Sequence, residues 1–383
     1  MKTSFRFMAG TVAITAAVVM SSCSSSRPRA SSTATSVATN APAGAAGAPS
    51  PSSSSAGQSN ALAGTPAPQP LTKKTNVTLI LQAKTEGWVF APLAQAMGEF
   101  QKENLNVNIK YDQLPSDIVL AINHGEADAG FLGTSALLFN VVAASPGIKI
   151  TMGTGTPPAG TTGIYVKSSK IPSSGPFNAC ELKGQTVGVG PALKGGVVTA
   201  GLGLYFAQHC PSTTINDVSL SPLQGANGLI ALQTGALPAA ALYPPFSTQA
   251  KSSGVAKLVV ESPPPGGGAM IMGGDLTGRP TVAKAIVRAL LRTERTYLQG
   301  DYHANPQVAA AIAQALGVPV SAVASPLNPS EVFDPSGSYP ESALGPYQNF
   351  YMSVTPKIIT YSKPLDVNSL VDTGLTASVL SGQ

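Results

Sequence analysis

Short apolar strands alternate with helices along this chain, and the alternation runs twice. Residues 121–130 resemble residues 231–240, which lie 110 positions later, and the apolar segments around Leu79 and Val187 stand 108 positions apart. Strands that alternate with helices form parallel sheets with the helices packed on their faces. Two such runs at nearly one spacing predict a pair of α/β lobes.

The periodicity of the apolar residues predicts the individual elements. The first run has predicted strands at 77–81, 107–109, 129–132 and 148–152, and helices at 90–100, 118–123 and 136–144. The second has strands at 186–189, 218–220 and 239–242, and helices at 197–209 and 228–233. A third part has a strand at 269–272 and helices at 282–299, 306–316 and 341–352. About 310 residues of this kind are more than one core usually organises.

The N-terminus has the pattern of a secretory signal peptide. Lys2 and Arg6 precede an apolar run at 8–20, which is too short to span a bilayer. We therefore expect a signal peptide over 1–22. The small residues before Cys23 resemble the bacterial lipobox, which implies that Cys23 is acylated and becomes the mature N-terminus. Secretion with cleavage elsewhere is the alternative.

Residues 23–72 are mostly Ser, Ala, Pro, Thr and Gly. A segment with so little to bury cannot offset the entropy of ordering, and we expect a flexible, lipid-anchored tether. Loss of Lys2 and Arg6 with the signal peptide lowers the formal net charge from +5 to +3. So mild a charge argues against nucleic acid as a partner.

Three cysteines are present, and the anchor would use Cys23. That leaves Cys180 and Cys210, and a pair of cysteines in an oxidising compartment predicts a disulfide. Two buried thiols that do not meet are the alternative.

Four segments resemble the periplasmic-binding-protein-like family that serves nitrate, sulfonate, taurine and thiamine-pyrimidine uptake. Residues 90–107 are similar to the first helix and following turn of that family, although Asn104 stands where the family has glycine. Residues 124–130, 182–189 and 366–372 match three further family segments, in order. The resemblance extends over most of residues 77–375.

The resemblance implies an α/β, two-lobed fold in which each lobe is a mainly parallel sheet flanked by helices, with a helical C-terminal part. Lobe 1 would comprise 73–168 and 268–383, and lobe 2 would comprise 169–267. The chain would cross between the lobes near 165–185 and again near 262–270. The family's function implies a monomeric receptor outside the cytoplasm, held to the membrane by its lipid, that passes a small anionic or zwitterionic solute to an ABC permease and ATPase. No cofactor is implied.

Ligands of open α/β sheets bind beyond the carboxyl ends of the strands. Four loops occupy those places, and they supply the candidate ligand-binding residues: Thr85, Glu86, Trp88, Gly133, Thr134, Ser135, Pro191, Lys194, Gly195, Gly196, Tyr243 and Phe246.

Each candidate also has an ordinary structural interpretation. Trp88 could stack on a ligand or pack within a lobe, and the same holds for the aromatic pair in the last loop. A solvated side chain beside Lys84 is the favoured interpretation of Glu86. The helix starts at 133–135 and 190–196 could bind an anion through backbone amides, or could be simple helix caps. Lys194 could equally be solvated.

Two other functions are weighed against transport. Hydroxymethylpyrimidine synthases share the fold but use a cysteine cluster with histidines, whereas Cys180 and Cys210 stand far apart and the three histidines have no metal-binding spacing. We therefore expect no enzyme activity. An envelope lipoprotein that uses a binding fold for sensing or scaffolding is the second alternative, and it would have no importer as a partner.

Overall fold

The computed structural model describes residues 61–262 and 268–382. The predicted signal peptide, Cys23 and the predicted tether up to residue 60 lie outside the described residues.

The described residues form ten strands and twelve α-helices. The strands are β1 (Thr75–Leu81), β2 (Leu105–Tyr111), β3 (Ala129–Gly133), β4 (Lys149–Gly153), β5 (Gly163–Lys167), β6 (Thr186–Gly188), β7 (Ser219–Ser221), β8 (Ala239–Leu242), β9 (Ala256–Glu261) and β10 (Gly268–Met272). The helices are α1 (Phe90–Ala96), α2 (Pro115–Asn123), α3 (Ala136–Ala144), α4 (Val197–His209), α5 (Gly225–Thr234), α6 (Phe246–Ser252), α7 (Gly274–Thr277), α8 (Pro280–Tyr297), α9 (Pro306–Leu316), α10 (Val320–Val323), α11 (Leu344–Ser353) and α12 (Gly374–Leu380).

The strands form two five-stranded sheets built on one plan. The order is β2-β1-β3-β10-β4 in the first sheet and β7-β6-β8-β5-β9 in the second. In each sheet the fourth strand in this order, β10 or β5, runs antiparallel to both of its neighbours, and the other four share one direction. The predicted α/β architecture of two mainly parallel sheets is therefore confirmed.

The chain crosses between the sheets earlier than the predicted boundary at 168/169. β5 pairs with β8 and β9 in the second sheet, so the first crossing occupies 154–162 and not 165–185. β5 is a five-residue strand that follows a run rich in Gly, Pro and Thr, and such a run hides a short strand from periodicity. The return crossing joins β9, which ends at Glu261, to β10, which begins at Gly268.

Local sequence explains where several elements begin and end. Ser135 caps α3 by accepting a hydrogen bond from the Leu138 amide. Asn305 caps α9, which starts with Pro306 and stops at Gly317 in the left-handed conformation. Asn104, at the turn before β2, has a φ of 58°, a conformation that asparagine tolerates better than most residues.

Residues 61–72, predicted as part of the tether, lie against α8. The Leu62 amide donates to the carbonyl of Arg295 at 3.1 Å, and Arg288 donates to the carbonyl of Gln69 at 2.9 Å. Leu71 packs at the edge of the first lobe's core. Composition could not reveal this because the segment is held mainly by hydrogen bonds from arginines more than 200 positions away.

The C-terminal helix α11 contacts both lobes. The ring of Phe350 fills the space beside Gly203 of α4, where a Cβ would come within 2.1 Å of it. The hydroxyl of Tyr351 donates to the carbonyl of Thr134 at 3.0 Å, just before α3. Helix α11 therefore lies against both lobes.

Cys180 and Cys210 form a disulfide, with Cα atoms 5.6 Å apart. The bond ties the 3₁₀ turn at Ala179–Leu182 to the end of α4. Within the described part of the chain, no helix has the length and apolar character needed to cross a bilayer.

Candidate functional site

A cavity of about 590 Å³ lies between the two sheets. Its walls are the loops that follow β1, β3, β6, β7 and β8, together with the crossing segment 154–162. These loops stand at the carboxyl ends of parallel strands, which is where α/β sheets bind ligands. We call this cavity the cleft.

Eight of the twelve candidate residues line the cleft: Thr85, Trp88, Gly133, Ser135, Pro191, Gly196, Tyr243 and Phe246. The other four do not. The Lys194 ammonium donates to Oδ1 of Asn216 at 2.6 Å and to the Thr355 carbonyl at 3.1 Å. The Thr134 and Tyr339 hydroxyls share a buried hydrogen bond of 2.6 Å.

Gly195 lies where the two lobes touch. A Cβ on Gly195 would stand 3.3 Å from the Cβ of Ala136, and a Cβ on Gly133 would stand 3.1 Å from Cγ2 of Val197. The starts of α3 and α4 thus face each other across the cleft, and small residues allow the approach.

Glu86 is not solvated as favoured from the sequence. Its side chain is 0% exposed, and its Oε1 accepts from the Tyr302 hydroxyl at 2.5 Å and pairs with Nε2 of His303 at 2.7 Å. The sequence interpretation was wrong because Tyr302 and His303 come from a turn more than 200 residues later. The pattern of apolar residues around Lys84 does not indicate the contact of Glu86 with Tyr302 and His303.

The surroundings of His303 favour its protonated form. Its Nδ1 faces the carbonyl of Asn328 at 3.0 Å and its Nε2 faces the carboxylate of Glu86, so both ring nitrogens point at acceptors. Burial acts to lower the pKa of His303, but the hydrogen bond that it donates to the Glu86 carboxylate, the negative charge of Glu86 and the Asn328 carbonyl outweigh burial and raise it.

Glu331 also lines the cleft, and it is not among the residues predicted from the sequence. It is 5% exposed, and burial, with the nearby charge of Glu86, raises its pKa well above the ordinary value for glutamate. Val332, the next residue, forms a bridge with Thr156 of the crossing segment, and this bridge brings Glu331 to the cleft. Residue 331 lies in an irregular C-terminal segment, so no strand or helix pattern points to it.

Aromatic rings form much of the apolar wall. Tyr243 and Phe246 meet edge to face with centroids 5.8 Å apart, and burial raises the pKa of Tyr243 to about 12. Trp88 is 8% exposed and packs into the core of the first lobe while also lining the cleft. The packing interpretation of Trp88 is therefore confirmed, and its contact with a ligand stays a prediction that its place in the cleft wall allows.

The polar groups that line the cleft include the starts of two helices and a small number of charged side chains. Gly196 and Gln224 precede α4 and α5 and line the cleft, and neither helix start has a side-chain cap. The charged side chains among the described lining residues are Lys84, Glu261 and Glu331. The described residues contain no group of three or more His, Cys, Asp or Glu side chains placed to hold a metal ion.

No protein-family model and no curated protein matches the chain. Solved structures of other proteins do match the chain. The alkanesulfonate-binding protein SsuA of Xanthomonas axonopodis pv. citri, bound to MOPS, aligns with a TM-score of 0.56 at 17% identity, over 81% of this chain and 99% of SsuA. The periplasmic nitrate-binding protein NrtA of Synechocystis PCC 6803 aligns with a TM-score of 0.59 at 14% identity, over 82% and 90%.

A mutant of the desulfurization enzyme DszB, in complex with biphenyl-2-sulfinic acid, also aligns, with a TM-score of 0.52 at 15% identity over 81% of this chain and 100% of DszB. At these identities the likeness concerns the fold. The chain has the periplasmic-binding-protein-like fold, which binding proteins and an enzyme both use.

Proposed function

We propose that this chain is the solute-binding component of an ABC importer and binds a small organic solute between its lobes. The observation that carries the proposal is the cleft itself, which draws its walls from both lobes and lies at the carboxyl ends of both sheets. Its volume of about 590 Å³ is in the range of ordinary small-molecule sites.

The mechanism is closure of the lobes on the solute. A solute that touches both walls binds the closed form better than the open form, and so shifts the population toward closure. The crossing at 154–162 is a segment that would absorb the movement. The closed form would then dock on the permease, and the ATPase would drive release.

The proposed location and membrane anchoring of the receptor are inferred from the sequence. A signal peptide and acylation at Cys23 would place the receptor outside the cytoplasm as a membrane-anchored monomer. The uncapped starts of α4 and α5 can receive an anionic group, which favours a sulfonate, taurine or a nitrate-like solute as the ligand class.

Catalysis has less support than binding, although DszB shares the fold. The hydroxymethylpyrimidine-synthase alternative needs reactive cysteines, and Cys180 and Cys210 are bound to each other outside the cleft. An envelope protein for sensing or scaffolding would use the same cleft without an importer. Solute uptake by cells that lack this chain separates the two, because only the importer role predicts a loss of uptake.

A thermal-shift screen of residues 61–383 against sulfonates, taurine, nitrate, pyrimidines and flavins tests binding. Because a solute that binds only the folded state stabilises it, a hundredfold excess over Kd adds about 2.7 kcal/mol. A Gly133→Leu variant should abolish the shift by filling the space against Val197. Gly345→Leu is the control, since nothing lies within 4 Å of a Cβ there. Shifts that survive Gly133→Leu would place binding elsewhere and contradict the proposal.

A further inference from the structure

We propose that the solute carries a cationic nitrogen group, of the amine or amidine kind, and that Glu331 is the carboxylate that receives it. The inference rests on the proposed function and deepens it, because it names the chemistry of one end of the solute. It would select zwitterions and cations over solutes that are only anionic.

The first support is a buried carboxyl oxygen with nothing to bind. Oε2 of Glu331 has no hydrogen-bond partner among the described residues, and the side chain is 5% exposed at the cleft wall. Buried polar groups are nearly always paired, and leaving one unpaired is costly. An unpaired group that lines a binding cavity is a candidate for pairing with the ligand.

The wall under this oxygen offers no donor side chain. A Cβ on Gly87 would come 3.1 Å from Oε2 of Glu331, and a Cβ on Gly155 would come within 2.7 Å of it. Two glycines from two different segments therefore provide the space for the carboxyl group. Any side chain at either position would crowd it.

The donors behind Glu331 are already engaged. The Tyr302 hydroxyl accepts from the Glu331 amide at 2.9 Å and donates its single proton to Glu86. The His303 imidazolium is directed at Glu86 and at the Asn328 carbonyl. His303 and Tyr302 thus both contact Oε1 of Glu86, whose Oε2 is likewise unpartnered among the described residues, and neither side chain contacts the carboxyl group of Glu331.

No cation in the described part of the protein compensates the carboxyl group of Glu331. Among the described residues, no lysine, arginine or histidine forms a salt bridge with Glu331. The lysine of the cleft, Lys84, holds its ammonium 5.3 Å from the centre of the Tyr111 ring. The remaining carboxylate of the wall, Glu261, is exposed and accepts a hydrogen bond from the Gly160 amide.

A cationic nitrogen group would provide the missing hydrogen-bond donor for Oε2 of Glu331. Hydrogen bonds from charged nitrogen to carboxylate are the strongest kind, and they gain further where water is excluded. The rings of Trp88 and Tyr243 add faces that attract cations and flat heterocycles. A cation at this place would favour the ionised form of Glu331, whose pKa burial and the charge of Glu86 otherwise raise, whereas a sulfonate or nitrate would gain no such pairing and would face the charge of Glu86.

The test is binding of matched pairs of probes to residues 61–383, by thermal shift and then by calorimetry. Each pair differs in its nitrogen: taurine with ethanesulfonate, benzylamine with benzyl alcohol, and benzamidine with benzamide, with nitrate as an anion that has no partner. In the wild-type protein, the charged nitrogen member of a pair should bind at least tenfold tighter. This comparison needs no variant and so does not depend on the folding of one.

Glu331→Gln should then remove at least tenfold of that affinity. Glu294→Gln is the matched control, because Glu294 is equally buried with an unpartnered Oε2 and lies outside the cleft. Binding of ethanesulfonate or nitrate without preference for nitrogen, or unchanged affinity in Glu331→Gln, would overturn the inference and leave the receptor function standing. Failure of every probe to bind, together with failure of the wider solute screen, would count against the receptor function and remove the inference with it.

Discussion

The imidazole of His303 lies against the carboxylate of Glu86 in the protein interior, with Nε2 2.7 Å from Oε1. His303 is 4% exposed and Glu86 is 0% exposed. Because the pKa of His303 is raised in the folded protein, the folded state holds this proton more tightly than the unfolded chain does.

Stability should therefore fall as the pH rises through the neutral range. The contribution of His303 is fully present below the unfolded histidine pKa of about 6.5 and is lost as the pH rises through the raised folded value. Urea unfolding between about pH 5.5 and 9 should show this loss in the wild-type protein and a shallower one in His303→Gln. The raised pKa of Glu331 acts with the same sign, so the variant keeps part of the slope.

His124 provides the control for this experiment. It is exposed in the turn after α2 and makes no contact with Glu86, so His124→Gln should keep the wild-type pH dependence. An identical slope in the wild-type protein and His303→Gln would contradict the assigned protonation of His303.

Removal of the disulfide should lower stability without changing solute affinity. The bond between Cys180 and Cys210 closes a loop with a sequence separation of 30 residues, which in the chain-entropy account contributes roughly 3–4 kcal/mol. The Cys180→Ser/Cys210→Ser double variant should lose about that much in chemical unfolding. Neither cysteine lines the cleft, so a weaker affinity at matched folded fraction would show that the bond also shapes the site.

The elements that the sequence predicted best have strong local signals. Helices α3, α4 and α9 and strand β8 have the predicted bounds, because apolar periodicity and a terminal Ser, Gly or Pro mark both ends. Strands β5 and β9 were missed. β5 gains its place through antiparallel pairing with partners 73 to 98 residues later, and β9 lies at the edge of the sheet beside β5.

The site was predictable to the extent that strand ends determine it. The loops after β1, β3, β6 and β8 do meet at the cleft, as parallel topology requires. The chemistry at its buried end was not predictable. The environment of Glu86 is determined by its contacts with Tyr302 and His303, and the position of Glu331 is determined by the bridge between Val332 and Thr156. Such contacts depend on the tertiary fold and leave no local pattern.

Removal of residues 61–72 should destabilise the folded part. Arg288 and Arg292, buried on α8, pair with Glu103 and Glu99 at 2.7 Å and 2.6 Å and also donate to carbonyls of the N-terminal segment. Several hydrogen bonds worth roughly 1 kcal/mol each would be lost. We expect a chain that begins at residue 73 to be about 2–4 kcal/mol less stable than one that begins at residue 61, measured by urea unfolding.

A point substitution distinguishes the contribution of the side chains of this segment to stability from the contribution of its backbone. Gln69→Ala removes one side-chain hydrogen bond with Arg288, at 3.3 Å, and keeps the carbonyl that Arg288 also contacts. It should cost less than about 1 kcal/mol. Equal stability of the two chain lengths would mean that the segment adds nothing to folding.

Trp88 allows binding to be observed directly, because it is the only tryptophan of the chain and lies in the cleft wall. Closure on a solute should change the polarity around its ring, and hence the wavelength or intensity of its emission. Trp88→Phe should abolish the signal while binding, followed by calorimetry, persists. Trp88→Ala should weaken binding at least tenfold, and, since the ring is also part of the core, should lower stability by about 3–5 kcal/mol. Saturation by a solute that stabilises the protein, with no change in emission, would place the bound solute away from Trp88 and contradict its role in the cleft.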